Sequence, residues 1–329
     1  MRAVVVAGDR SLEVREVDTP EPGPGQVRVR VEACGICGSD LHLRPSEAGL
    51  PAGSIMGHEF AGVVDALGDG ADEALAGARV CVHPFVPTER HDPLAAFESG
   101  IGLGRNPGGY AEAVCVDQRM AWRLPDPLPL EQGALVEPLA VALHALDVGA
   151  VGPEDPCAVI GAGPIGVMCA VALRARGGER IVVVERNGLR RERIEALGFA
   201  AVGSDGVHMA VLEALGGEPP ARVLECTGHP AAPGLATELV APEGICVLVG
   251  IFDDPVPVAP MVLMMKEAQL RAALAYRPGD FDEAIELLAA GRVPAEELVT
   301  GREPLERAEA MFGELSDPAT EHLKVLLVP

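Results

Sequence analysis

The chain has 329 residues, of which 48% are hydrophobic and 23% charged; it is long enough for two globular domains of typical size. Its 26 basic and 49 acidic residues give a net charge of −23, which argues against partners such as nucleic acids or anionic membrane surfaces, because both need clustered Lys and Arg. We find neither a signal segment nor a membrane-spanning apolar run, and the eight scattered cysteines are unlike a disulfide framework, so a cytoplasmic protein is expected.

The first 146 residues are predicted to form an irregular, β-rich domain. Residues 20–25 are a turn-forming connector rich in Pro and Gly. Residues 27–31 then alternate between valine and arginine, as a half-buried strand does. The β pattern continues at residues 60–64 and 79–82.

A cluster of chemically active side chains lies at residues 34–42, which carry two thiols, a hydroxyl, a carboxylate and an imidazole. The pair His58-Glu59 and a further glutamate, Glu137, follow later in the chain. Thiolate, imidazole and carboxylate are ligands of catalytic zinc, and a thiolate discriminates against Mg²⁺ and Ca²⁺. Cys34 and Cys37 could alternatively form a redox pair or half of a structural zinc site. The first alternative is expected in a thioredoxin-like βαβ unit, and the second needs another cysteine pair; neither context is present here.

After residue 146 the sequence changes to short, continuous apolar runs separated by helical patterns. The runs predicted to be strands are residues 157–160, 181–184, 222–225 and 246–249. Continuous apolar strands alternating with helices, such as the helical stretch 167–176, indicate βαβ units and a parallel sheet.

We place this second domain at residues 147–275. Residues 276–329, with a helix at 281–290 and a last strand at 323–327, are expected to return to the first domain. The methionines between residues 261 and 265 are predicted to lie in a core or a subunit contact rather than in a cofactor site.

The first predicted βα turn is a G-x-G-x-x-G loop made of Gly161, Ala162, Gly163, Pro164, Ile165 and Gly166. Gly161 permits the tight turn, Gly163 lets the backbone approach a pyrophosphate, and Gly166 lets the helix pack closely on the strand. The N–H groups at the start of the helix would bind the phosphates. A glycine turn that binds no ligand is the alternative, but the flanking strand and helix satisfy the context of a dinucleotide-binding loop.

The second strand of this unit ends in an acidic residue, Glu185. A carboxylate there accepts hydrogen bonds from the ribose hydroxyls of NAD and repels the 2′-phosphate of NADP. Arg186 follows directly and could hold that phosphate instead. We expect NAD, with NADP as the alternative.

Four motifs in this order resemble the zinc-dependent medium-chain dehydrogenase/reductase family over essentially the whole chain. They are Cys-Gly-Ile-Cys-Gly-Ser-Asp, Gly-His-Glu, Val-Glu-Pro-Leu-Ala and Gly-Ala-Gly-Pro-Ile-Gly. The resemblance implies an α/β fold with an irregular, β-rich GroES-like catalytic domain and a doubly wound parallel-sheet (Rossmann) domain. Glu137, where other alcohol dehydrogenases of the family have a cysteine, makes the chain similar to the branch of sorbitol, threonine and polyol dehydrogenases.

The resemblance also implies roles for single residues. The implied zinc ligands are Cys37, His58, Glu59 and, directly or through a water molecule, Glu137. Asp40 matches the carboxylate that orients the imidazole of His58, and Ser39 and His42 match a proton relay from the substrate hydroxyl to solvent. Arg190 matches a position near the adenosine ribose.

Many members of the family bind a second, structural zinc through four clustered cysteines, and the corresponding residues 87–106 contain no cysteine here. Cys34 matches a position that is not a ligand. One catalytic zinc per chain is therefore predicted. The reaction that the resemblance implies is hydride transfer from a secondary alcohol, such as a polyol or cyclitol, to NAD. Members of the family usually form homodimers or homotetramers, and we expect the same of this chain.

Two alternatives remain at this point. A zinc-free quinone or enoyl reductase of the same fold would lack the Cys and His-Glu ligands that this chain retains. A non-catalytic dinucleotide-binding protein would be expected to show damage to those ligands or to the relay, and none is visible.

Overall fold

A computed structural model describes residues 1–43, 50–87, 100–104, 106–252, 254–317 and 319–329. The strands are β1 (Arg2–Val6), β2 (Leu12–Glu16), β3 (Gln26–Gly35), β4 (Glu59–Leu67), β5 (Arg79–Val82), β6 (Ala113–Asp117), β7 (Ala121–Arg123), β8 (Cys157–Ile160), β9 (Ile181–Val184), β10 (Ala200–Val202), β11 (Arg222–Glu225), β12 (Ile245–Leu248), β13 (Gln269–Ala272), β14 (Val299–Pro304) and β15 (Lys324–Val328). The helices are α1 (Gly38–Leu43), α2 (Leu130–Gly133), α3 (Val136–Val148), α4 (Pro164–Ala175), α5 (Gly188–Ala196), α6 (Val207–Ala214), α7 (Ala232–Leu239), α8 (Pro260–Lys266), α9 (Pro278–Ala289), α10 (Ala295–Leu298) and α11 (Ala308–Ser316). None of these helices combines the length and the apolar character that crossing a bilayer requires.

The chain forms two compact units, the first of which contains residues Met1–Glu137 and Phe281–Pro329. Its main sheet has the strand order β14-β15-β3-β4-β5-β7, and β6 also pairs with β3. The alternating apolar residues of β3 face a core that includes the buried rings of Phe60, Tyr110 and Phe312. Strands β1 and β2 form a separate two-stranded sheet.

The central strand β3 brings distant residues together at its end. It pairs antiparallel with β4, and this register places Gly35 opposite Glu59. On its other side β15 pairs with the same end of β3, with Leu326 opposite Gly35. The turn after β3, which carries Cys37, therefore meets the His-Glu pair at the start of β4 and the beginning of β15.

The second unit, Pro138–Asp280, is a six-stranded sheet with the order β10-β9-β8-β11-β12-β13, in which every pair is parallel. Renumbered within this unit, the order is 3-2-1-4-5-6, that of a Rossmann fold. Strands β8 and β9 are buried along their whole length, which explains their continuous apolar sequence.

The predicted fold class is confirmed: a β-rich unit and a doubly wound parallel sheet are both present. Predicted strands and helices lie within a few residues of the observed ones, as for the last strand, predicted at 323–327 and observed at Lys324–Val328. The predicted domain boundaries, after residues 146 and 275, and the cytoplasmic location stay predictions.

Candidate active site

The site requires glycine at two places, at the end of β3 and just before β4, where side chains of the site pack against the backbone. At Gly35 a Cβ atom would collide with Oε2 of Glu59. At Gly57, which has a φ of +97°, a Cβ atom would lie 2.5 Å from the ring of Tyr110 and 2.8 Å from Sγ of Cys34. The left-handed backbone at Gly57 turns the chain so that His58 and Glu59 face the thiol of Cys37.

One cluster of metal-ligand type stands out in the part of the chain that the structure describes. Single ligand atoms of Cys37, His58 and Glu59 all lie within 4.8 Å of one another. His58 and Glu59 are buried, and Cys37 is half-buried. This spacing and this set of sulfur, nitrogen and oxygen donors fit a zinc ion whose remaining position opens to a substrate.

The protonation of these groups is strongly coupled to their surroundings. Burial and the neighbouring Glu59 carboxylate raise the pKa of the Cys37 thiol. Burial opposes the charged form of His58, but the negative charge of Asp40 outweighs it and raises the pKa of the imidazole well above its usual value. Both groups thus hold their protons until a cation competes, and zinc binding is expected to release protons.

Asp40, from the first turn of α1, connects the thiol turn to the imidazole. Its Oδ2 accepts the backbone N–H of Cys37 at 3.0 Å, and its Oδ1 lies 3.5 Å from Nδ1 of His58. Oδ1 and Nδ1 are buried and have no hydrogen-bond partner among the described residues. Such a carboxylate facing Nδ1 fixes the tautomer of the ring and leaves Nε2 for a metal.

Lys324 is a feature of this site that the sequence interpretation missed. Its Nζ lies 2.8 and 2.6 Å from the two carboxylate oxygens of Glu59 and donates to the carbonyl of Ile36 at 3.1 Å. Only 2% of its surface is exposed, and Glu59 is fully buried. Burial favours the neutral amine, but the Glu59 charge outweighs it and raises the pKa of Lys324.

The other residues of the predicted zinc site are nearby but are not part of the cluster. Ser39 is half-buried, and its Oγ lies 3.5 Å from Nε2 of His58. His42 is exposed on the same helix. Glu137 is buried at the start of α3, outside the three-residue cluster, and its charge helps to raise the pKa of Lys324.

The buried thiol of Cys34 also lies outside the three-residue cluster, and burial raises its pKa well above the usual value. Most of the cysteine-free segment 87–106 is outside the described residues. The absence of a structural zinc stays a prediction.

The glycine loop of the second unit has the geometry expected of a phosphate-binding turn. Gly161 has a φ of +101°, and a Cβ atom there would lie 2.6 Å from Thr227. A Cβ atom on Gly166 would collide with the carbonyl oxygen of Gly161, whereas one on Gly163 would project into open space. Gly163 caps α4, and Pro164 and Ile165 begin it, with no side-chain capping hydrogen bond. The open cradle fits a pyrophosphate.

Glu185 follows β9, beside this loop, and is half-buried. Its Oε2 accepts the backbone N–H of Ala162 at 2.8 Å, and its Oε1 accepts that of Asn187, also at 2.8 Å. Arg186 is exposed, and Arg190 is half-buried in the first turn of α5. The carboxylate is therefore fixed between the phosphate loop and the next turn.

Comparisons with known proteins agree with this geometry. Residues 23–126 match the alcohol dehydrogenase GroES-like domain family, and residues 164–290 match the zinc-binding dehydrogenase family. The (R,R)-butanediol dehydrogenase of Bacillus subtilis (strain 168) is 33% identical over 100% of both chains.

Solved structures with the same fold include 2R,3R-butanediol dehydrogenase from Bacillus subtilis, with a TM-score of 0.90, 32% identity and coverage of 100% of this chain and 99% of that one. An alcohol dehydrogenase from E. coli CFT073 complexed with NADH has a TM-score of 0.89 at 26% identity, and a zinc-binding dehydrogenase from Sinorhizobium meliloti 1021 bound to NADP has 0.89 at 29%. Each of these two matches spans 100% of this chain and 99% of the solved chain.

The chain belongs to the zinc-dependent medium-chain dehydrogenase/reductase family, on its alcohol and polyol dehydrogenase side. It is an oxidoreductase that interconverts secondary alcohols and ketones, using zinc and a nicotinamide cofactor. The family and the reaction class predicted from the sequence are confirmed.

Proposed function

We propose that the chain oxidises a small diol or polyol at a secondary carbon, with one zinc ion and NAD per chain. The observation that carries this proposal is the convergence of Cys37, His58 and Glu59 within 4.8 Å, with Asp40 behind the imidazole. The relatives named as butanediol and xylulose enzymes support a substrate with neighbouring hydroxyl groups.

Cys37, His58 and Glu59 would hold the zinc, with Glu137 as a further carboxylate donor. When bound, zinc acidifies a substrate hydroxyl as a Lewis acid, and the nicotinamide accepts a hydride. Secondary alcohol and NAD⁺ thus become ketone, NADH and one proton.

The chain's own residues would carry that proton. Ser39 Oγ, 3.5 Å from Nε2 of His58, takes the hydroxyl proton. His42 lies three residues further along α1, on the same helix face, and its exposed ring passes the proton to water.

We expect NAD to be preferred over NADP by on the order of 100-fold in kcat/KM, because the fixed carboxylate of Glu185 would repel a 2′-phosphate. The test is initial-rate kinetics with both cofactors over a panel of vicinal diols, sugar alcohols and cyclitols. Glu185→Gln keeps the size of the side chain and removes its charge, so the preference should fall below about tenfold. An equal preference in the unaltered enzyme would contradict the cofactor assignment, and no turnover with any secondary alcohol would contradict the substrate class.

We also propose that two copies of the chain associate through the edge of the parallel sheet. Strand β13 is the last strand of that sheet, and α8, just before it, has no buried residue. Met261, Met264 and Met265 on this helix are 62%, 66% and 78% exposed. An open strand edge beside an exposed apolar helix favours pairing with a second copy.

Light scattering coupled to size-exclusion chromatography is expected to give two or four times the 34.1 kDa chain mass. The double variant Met264→Glu/Met265→Glu should shift the protein toward the monomer, because it introduces charge into the interface. Met209→Glu, which alters a 70% exposed methionine on α6, should leave the mass unchanged. A monomeric unaltered protein would contradict the proposal.

A further inference from the structure

Tyr110 is a buried tyrosine that no step of the proposed reaction uses. It is completely inaccessible to solvent, and its backbone N–H donates to the carbonyl of Met56 at 2.9 Å. Its ring lies against Gly57, the residue before the candidate zinc ligand His58. It packs edge-on against the ring of Phe312, with 6.2 Å between the ring centroids. The side chain is thus held in one orientation from both sides.

The hydroxyl of Tyr110 makes one short polar contact in this buried place. It donates to Oδ2 of Asp40 at 2.6 Å, while the carbonyl of Gly35 is more distant, at 3.4 Å. A phenol that donates to a carboxylate at this distance forms a strong, charge-assisted hydrogen bond. Burial and the Asp40 charge raise the pKa of Tyr110 well above its usual value, so the phenol keeps its proton.

The two oxygens of Asp40 consequently have different tasks. Oδ2 accepts both the Tyr110 hydroxyl and the backbone N–H of Cys37. Oδ1 is left facing Nδ1 of His58. Rotation of the carboxylate away from this orientation would break both bonds to Oδ2. The Tyr110 hydroxyl and the Cys37 N–H therefore determine the orientation of Asp40 relative to the imidazole.

We propose that Tyr110 is a positioning residue of the metal site: its hydroxyl orients Asp40, and Asp40 keeps His58 in the tautomer that leaves Nε2 for zinc. This inference rests on the proposed zinc site. It assigns Tyr110 no contact with substrate, cofactor or metal. It predicts that the hydroxyl, rather than the ring, matters for retaining the metal.

Tyr110→Phe in the zinc-loaded enzyme tests this directly, because it removes the hydroxyl and keeps the ring. Loss of an outer hydrogen-bond partner lowers metal affinity by roughly 10- to 100-fold; for this more remote group we expect zinc transfer to a chromogenic chelator to become about tenfold faster. Tyr276→Phe, at the chain's other tyrosine, is the matched control and should release zinc at the unaltered rate.

A second pair of variants separates positioning from simple packing. In Asp40→Asn the carboxylate is absent, so adding Tyr110→Phe should change the release rate less than about twofold. Unchanged zinc release in Tyr110→Phe, with only a lower melting temperature, would assign the residue to packing and overturn the inference. An unaltered protein that retains no zinc in elemental analysis would instead overturn the proposed function and this inference with it.

Discussion

Cys37→Ser is expected to lose its zinc and to lower kcat/KM by roughly 1000-fold or more, while the protein remains folded. A serine hydroxyl does not ionise near neutral pH, so the cluster would keep an imidazole and a carboxylate but lose its only thiolate donor. Elemental analysis should find about one zinc per chain in the unaltered protein and close to none in the variant.

The neighbouring thiol provides the control for this experiment. Cys34 is buried three residues earlier and lies outside the cluster of ligand atoms. Cys34→Ala should therefore retain zinc, even if the missing sulfur lowers stability. Full zinc content and full turnover in Cys37→Ser would show that the ligand assignment is wrong.

Much of the dinucleotide-binding unit could be predicted from sequence because its constraints are local. The apolar run 157–160 must be a buried strand, and the glycines that follow it have only a few conformations that connect a strand to a helix. The structure shows these constraints directly, since side chains at Gly161 or Gly166 would meet neighbouring atoms. The approximate positions of strands and helices follow from the same local rules.

The outer parts of the metal site could not be predicted, because they depend on contacts between distant residues. Tyr110 and Asp40 are 70 positions apart in the sequence, and no pattern in the residues around Tyr110 indicates that its hydroxyl bonds to a carboxylate. Lys324 did leave a signal: it is one of only two lysines and stands within an apolar final strand. A charge at a position predicted to be buried implies a buried partner, but only the pairing of β15 with β3 identifies Glu59.

The ion pair between Lys324 and Glu59 leads to the second large effect. Lys324→Met is expected to lower the free energy of unfolding of the zinc-free protein by about 3–5 kcal/mol, because it leaves a buried carboxylate without a partner. Urea unfolding in chelator can be followed through Trp122, the chain's single tryptophan, which lies in the same compact unit as the ion pair.

Removing both charges separates the ion pair from the packing of the lysine side chain. Glu59→Gln on its own leaves the ammonium unpaired and is also expected to be destabilising. The double variant Lys324→Met/Glu59→Gln should be more stable than the sum of the two single changes implies, since neither buried charge remains. Additive losses would mean that the pair contributes no coupling. A loss below about 1 kcal/mol in Lys324→Met would show that another cation, such as the protonated imidazole of His58, compensates the charge of Glu59.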